Sequence, residues 1–265
     1  MNLKELSINI RERSAMFAEV LQACRTLLIH NPLASESRDY LDSRIATFYQ
    51  DRFQFGYFPN NENLQKLINM VGEEKLKSLD LIYDKYVNDA DCMVAVKQSI
   101  LSSHNLIMPY KDVYGNIVAL VGRTLLSKEE QKEKNISKYK NSQFHKSLHM
   151  FGLYNSKRSI ISNNCVLLVE GQFDCISCHV HGFHNVVALG GVAFSKYQFA
   201  LLSRYTNNIK LLLDNDSPGL NAANKIIERY SSFANIKKIQ LPSCYKDVDE
   251  YLLKSNDYGA LNFTG

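Results

Sequence analysis

Five prolines and twelve glycines are few for 265 residues, which excludes a collagen-like repeat and a chain held disordered by those residues. No apolar stretch approaches the roughly 20 residues a membrane-spanning helix requires. The opening MNLKELSINIRERSAM alternates charged and apolar positions, so it has no signal-peptide core. The six cysteines, at 24, 92, 165, 175, 178 and 244, follow no regular spacing and read as free thiols in a reducing compartment. A cytoplasmic chain with no membrane partner is expected. Excess charge is also scarce, at a net +4, too mild by itself to name a partner.

The chain does have enough apolar residue, 45%, to build one or two ordinary globular domains. Its charge is also unevenly placed. Residues 1–164 carry 22 Lys/Arg against 18 Asp/Glu, and residues 165–265 carry 9 against 9. Ten basic and four acidic residues fall between Lys111 and Arg158, a concentration that fits a polyanion partner for that part. Lys128, Lys132 and Lys134 alternate with Glu129, Glu130 and Glu133 and read as a solvated face.

Cys175-Ile-Ser-Cys178-His179 spells a haem-attachment pattern. That chemistry needs an exported chain, and the segment also reads as a helix whose cysteines pack as small hydrophobes. The packing reading is preferred to haem or zinc.

Apolar spacing predicts helix over 2–30, through Leu3, Leu6, Ile10, Phe17, Val20, Leu21, Cys24 and Leu28, ending before Asn31-Pro32. Short helices are expected at Ser37–Arg44, Asn63–Met70 and Glu73–Leu79, a strand at Phe53–Phe58, and a hairpin from Asn105–Pro109 and Ile117–Arg123. Ser127–Lys146 reads as an exposed basic loop. Downstream, the short apolar runs Cys165–Val169, Val186–Leu189, Ile209–Leu213 and Ile236–Leu241 alternate with helical stretches, as in a parallel sheet covered on both faces.

Ligands of such sheets bind beyond the carboxyl ends of the strands. Glu170 follows the first run, Asp214 and Asp216 the third, and Asp247 and Asp249 the fourth. Each alone reads well as a helix cap, Asp214–Ser217 before Pro218 and Asp249 before Tyr251–Lys254. Five together repel one another unless a cation lies between them, and hard divalent ions such as Mg²⁺ or Mn²⁺ take such oxygens. Two or more ions would activate a ribose hydroxyl and stabilise a departing pyrophosphate.

Glu170-Gly171, Asp214-x-Asp216-x-x-Gly219 and Asp247-x-Asp249 resemble the Toprim domain of primases, topoisomerases and some nucleases. Further upstream, Phe53-Gln-Phe-Gly56-Tyr57, Met108-Pro109-Tyr-Lys111-Asp112, Gly122-Arg123-Thr124-Leu125, Lys138-Tyr139-Lys140-Asn141-Ser142 and Phe144-His145-Lys146 extend the resemblance. So do Arg204-Tyr-Thr-Asn207-Asn208 and Lys246-Asp247. Over about residues 33–255 the chain resembles the catalytic core of bacterial-type DNA primases. It departs from that family in the single residue, Gln143, between two motifs, in Ser102-Ser103-His104 where arginines are usual, and in Gly190-Gly191-Val192 in place of Gly-Thr.

The resemblance implies a mixed α/β fold. An N-terminal helical segment (1–32) precedes a basic α+β subdomain (33–160), then a Toprim α/β subdomain (161–255) with a mainly parallel sheet and a short helical tail (256–265). It implies a primase activity, the synthesis of RNA primers on single-stranded DNA from ribonucleoside triphosphates. Glu170, Asp214 and Asp216 would be catalytic, and these three with Asp247 and Asp249 would hold Mg²⁺ or Mn²⁺, with no zinc. Arg123, Lys138, Asn141, Lys146 and Arg204 would hold nucleotide and template. A stand-alone core is expected, served by a separate zinc-binding protein and a replicative helicase, as in a phage or mobile replicon and hence in a host cytoplasm. A Toprim nuclease and a catalytically silent nucleic-acid-binding protein are the alternatives.

Overall fold

A computed structural model describes residues 3–89, 92–191 and 193–255. The expected tail at 256–265, Val192 and the Leu3 and Leu6 side chains lie outside the described residues. The described residues form two compact units, one within 3–110 and 116–144, the other within 111–115 and 145–255.

In the first unit α1 (Leu3–His30) is one unbroken helix. Its Phe17, Val20, Leu21 and Cys24 are buried at the 3–4-residue spacing of a helix face, and it packs on the sheet through β1 and β5. It is therefore part of the first core and not a separate segment ending at residue 32. Then come α2 (Ser35–Asp42), α3 (Thr47–Phe53), β1 (Gly56–Tyr57), α4 (Leu64–Val71) and α5 (Glu73–Ser78). Where the sequence predicts a strand at Phe53–Phe58, Phe53 ends a helix and only two residues pair. β2 (Ile82–Asp89) and β3 (Cys92–Ser99) form an antiparallel two-stranded ribbon. β4 (Leu106–Lys111), β5 (Ile117–Arg123) and β6 (Tyr139–Asn141) complete the sheet in the order β1-β4-β5-β6.

Ser127–Lys146 is not a plain loop. Ser127 and Glu130 close a reciprocal capping box that starts α6 (Lys128–Glu133), because each satisfies a backbone N–H of the other end. β6 then pairs Arg123 with Tyr139 and Val121 with Asn141.

The second unit contains α7 (Leu153–Asn163), β7 (Val166–Val169), α8 (Gln172–Val180), β8 (Val186–Ala188), α9 (Lys196–Leu202), β9 (Asn208–Leu212), α10 (Ser217–Tyr230), β10 (Asn235–Lys238) and α11 (Val248–Lys254). The division falls at residue 144 and not at 160, because Met150, Leu153 and Ile160 belong to the core beneath this sheet. All strand pairs are parallel, in the order β10-β9-β7-β8. β7 is buried along its whole length, which is why Val-Leu-Leu-Val reads as a continuous apolar run. The chain passes from β7 to β8 on one side and returns to β9 on the other, so the switch point of the sheet lies between the carboxyl ends of β7 and β9. No helix among the described residues is long and apolar enough to cross a membrane.

Candidate active site

The switch point opens where Glu170 follows β7 and where Asp214 and Asp216 follow β9. Short strands and tight loops place the acids there. Gly219 closes the β9–α10 loop, since a Cβ at that residue would stand 2.2 Å from the Asp214 carbonyl oxygen. Asn215 ties this loop to the next one. Its backbone N–H donates to the Lys246 carbonyl at 2.7 Å, and its side-chain amide donates to the carbonyls of Leu241, Pro242 and Tyr245 at 3.0–3.3 Å. Asp247 and Asp249 are thereby held beside the β9 acids although they come about thirty residues later in the chain.

Two of the acids also cap helices. Asp216 Oδ1 accepts from the Gly219 N–H at 3.0 Å and starts α10 with Pro218 in its first turn. Asp247, rather than Asp249, caps α11, accepting from the Glu250 N–H at 2.8 Å. A cap uses one carboxylate oxygen, so the second oxygen of each is available for other chemistry.

Asp174, in the first turn of α8, completes the cluster. In the sequence it stands four residues after Glu170, inside a helix that reads as core. Its Oδ2 accepts from the Gly171 N–H at 2.8 Å. Burial, followed by the charges of Asp247, Asp214 and Asp249, pushes its pKa up to about 8. Glu170 is raised by burial and by Asp214 and Asp216. Asp214 is raised by burial despite Lys246, whose Nζ lies 3.3 Å from Asp214 Oδ2. Carboxylates that hold one another's protons on are the electrostatic mark of a site that favours a cation.

An all-oxygen donor set fits a hard divalent ion. Among the described residues no three such side chains already stand at ligating distance around one point. A cavity of about 520 Å³ runs from Glu170 and Gly191 past Phe194 and Pro218 to Lys225 and Arg229.

The expected nucleotide and template residues are spread over both units. In the first, the Arg123 guanidinium lies over the rings of Tyr40 and Tyr139, at 5.1 and 5.5 Å, and donates to the Tyr139 hydroxyl at 2.8 Å. It is only 9% exposed, so the stack holds it in place. Lys138 is exposed and Asn141 half-buried, both around β6. In the second unit Lys146 is half-buried and its pKa is lowered by burial. Arg204 is exposed just before β9, at the amino ends of the parallel strands, so the sheet separates it from the acids. Half-buried Phe144 packs on the buried ring of Tyr110. Cys175, Cys178 and His179 are buried along α8, with Ser156 Oγ 3.0 Å from His179 Nε2.

A parallel sheet with carboxylates beyond its switch point thus follows a unit built on a sheet of order β1-β4-β5-β6. The family model for the N-terminal domain of the DNA primase catalytic core matches residues 25–157, and a Toprim-like model matches residues 167–252. The chain belongs to the bacterial-type DNA primase catalytic-core family. It is 31% identical over 232 residues to the DNA primase of Aquifex aeolicus, covering 86% of this chain and 44% of that one. The solved zinc-binding and RNA polymerase domains of an A. aeolicus primase superpose with a TM-score of 0.75 at 27% identity, over 94% of this chain and 58% of that one. A DnaG primase catalytic domain solved with single-stranded DNA shares the fold, with a TM-score of 0.71 at 23% identity over 91% of this chain and 76% of that one. The chain thus spans less than half the length of the A. aeolicus primase it matches.

Proposed function

We propose that this chain joins ribonucleotides into short RNA primers on a single-stranded DNA template, in a cytoplasmic replication setting. The observation that supports this most is the convergence of Glu170, Asp174, Asp214, Asp216, Asp247 and Asp249 around the carboxyl ends of β7 and β9, within a primase-family fold. Mg²⁺ or Mn²⁺ would be held by Glu170, Asp214, Asp216, Asp247 and Asp249, and when bound would supply activation of the attacking ribose hydroxyl and charge neutralisation at the departing pyrophosphate.

The chain's own residues do the rest. Glu170, whose carboxylate is made more basic by burial and by Asp214 and Asp216, accepts the hydroxyl proton at a side-chain oxygen. Lys246 beside Asp214 opposes the burial and neighbouring charges that raise that carboxylate's pKa. Lys146 supplies a cation to the triphosphate in the second unit. In the first unit exposed Lys138 contacts template phosphates, an attraction that reads no sequence. Arg123 presents a fixed guanidinium edge, and Asn141 adds a polar contact beside it. Arg204, on the far side of the sheet from the acids, takes no part in the chemical step and contacts nucleic acid only outside the centre.

Incubating the protein with single-stranded template, labelled ribonucleotides and Mg²⁺ or Mn²⁺ tests this. Short RNA products that disappear in Asp214→Ala and Glu170→Gln are expected. Nicked template without incorporation would replace the reading with a nuclease, and DNA binding with neither reaction would replace it with a silent binding protein.

A further inference from the structure

The first residue of α8 is Gln172, two positions after Glu170. The residue is 2% exposed, and its buried Nε2 has no acceptor. A buried amide N–H without a partner costs about 1–3 kcal/mol, and natural folds keep few such groups. A second donor lies next to it. Over the Cα of Gly190, at the position a Cβ would occupy, Gln172 Nε2 stands 3.3 Å away, Lys146 Cε 3.1 Å and Lys146 Nζ 3.7 Å. A Cβ at residue 190 would press on Gln172 Nε2 and Lys146 Cε, and the φ of +72° there already favours glycine. No ion pair among the described residues includes Lys146, and burial alone acts on its ammonium.

The two donors are held in place by the fold. The Gly190 N–H donates to the Glu170 carbonyl at 2.8 Å, and the Leu189 N–H to the Val169 carbonyl at 3.0 Å, so the loop is pinned to the strand end that carries Glu170. On the Lys146 side, Gln198 Nε2 donates to the carbonyls of His149 at 2.7 Å and Lys146 at 3.5 Å, and Ser195 Oγ donates to the Ser147 carbonyl at 2.6 Å. An ammonium and an amide N–H₂ meet at one glycine with no protein acceptor for either. The group that satisfies both is an oxyanion, and charge-assisted bonds of this kind are the stronger ones.

We infer that Gln172 and Lys146 form a two-donor clamp for a phosphate oxygen beside the carboxylate centre, with Gln172 a direct substrate contact. This deepens the nucleotidyl-transfer reading and rests on it. The phosphate belongs to a ribonucleoside triphosphate or to a nucleic-acid backbone, and both present the same chemistry to the clamp.

The test is a calorimetric titration of the full chain with inorganic tripolyphosphate and with ATP and Mg²⁺, and separately with single-stranded DNA. Wild type, Q172M, K146M and the double variant are compared, with thermal melting as the control for folding. The clamp predicts that Q172M weakens tripolyphosphate and ATP binding about tenfold, and that the Q172M and K146M losses are not additive. A loss confined to single-stranded DNA would assign the clamp to a backbone phosphate. Should Q172M fail to fold, Q172E keeps the size and shape of the amide, and its added negative charge should weaken phosphate binding further. Folded variants that bind both ligands as wild type does, or whose losses simply add, would overturn the clamp. If wild type makes primers and the variants bind normally, only the clamp fails. If wild type binds neither triphosphate nor DNA, the reading beneath it fails as well.

Discussion

The central parallel sheet and the β2–β3 ribbon are both regular β structure, built in opposite ways. β7 is covered on both faces and carries only Val and Leu. The ribbon exposes Tyr83, Tyr86, Met93, Val94 and Val96 and is held mainly by its own ladder from Ile82↔Ser99 to Asp89↔Cys92. A strand buried on both sides fixes the position of the residues at its end, and the acids beyond β7 and β9 inherit that rigidity. A ribbon with no face committed to a core has no such constraint, and it carries no candidate chemistry.

The sharpest way to break this contrast is at the acids themselves. Asp214→Ala should lower primer synthesis by more than about a hundredfold, judged against the 10–100-fold typical of residues that only support a metal ligand. Tyr86→Ala on the ribbon should leave the chemical step unchanged. Single-turnover incorporation measures both, and equal losses would erase the distinction.

Stability gives the next largest difference. Leu168 is wholly buried in β7, so Leu168→Ala should cost about 2–5 kcal/mol in denaturant unfolding. Tyr86→Ala, at an exposed position, should fall within about 0.5 kcal/mol of wild type. A ribbon variant as damaging as the core variant would show that the ribbon packs against something.

Asn215→Ala removes the amide that bonds three carbonyls of the β10–α11 loop. It should weaken Mn²⁺ binding about tenfold while the melting temperature falls by a few degrees. Intact metal affinity would mean that the Asp247 and Asp249 loop does not need this tether.

The smallest expected effect concerns pH, and the two units should respond with opposite sign. Asp174 has its folded pKa raised to about 8 from 3.8, so the folded state binds the extra proton. Its contribution to stability is therefore present at low pH and lost as pH rises toward 8. In the first unit, burial lowers His104 below 6.5, with its Nε2 2.7 Å from the Ser137 carbonyl oxygen. That contribution is present above pH 6.5 and lost as pH falls below it. Without divalent ions, hydrogen exchange at β7 amides should speed up between pH 6.5 and 8 beyond its intrinsic dependence, and Asp174→Asn should remove that excess. Amides of β4 should show no excess in this window.

The sequence made the second unit easier to read than the first, for physical reasons. β7 and β8, covered on both faces, leave uninterrupted apolar runs, whereas β9 alternates and β10 (Asn-Ile-Lys-Lys) is largely exposed; all four strands were nonetheless readable to within a few residues, with the acids beyond three of them. β2 and β3 left no such trace, because neither face is buried and no period of two separates apolar from polar positions. α6 and β6 were hidden by charge: Lys128–Glu133 is a helix made by its capping box, and Tyr139–Asn141 is a strand made by pairing with β5. Asp174 was hidden by its position inside a helix that reads as core. The pairing of Gln172 with Lys146 joins residues from two distant segments, and only the folded chain brings them to Gly190.

The central claim is that the carboxylates at the β7–β9 switch point direct templated ribonucleotide addition. The most direct measurement is the sequence of the labelled RNA made by the wild-type chain and by Glu170→Gln on single-stranded templates of different composition, with Mn²⁺ present. Products complementary to each template from wild type, and none from Glu170→Gln, are predicted. Products whose composition ignores the template, or synthesis that survives Glu170→Gln unchanged, would contradict it.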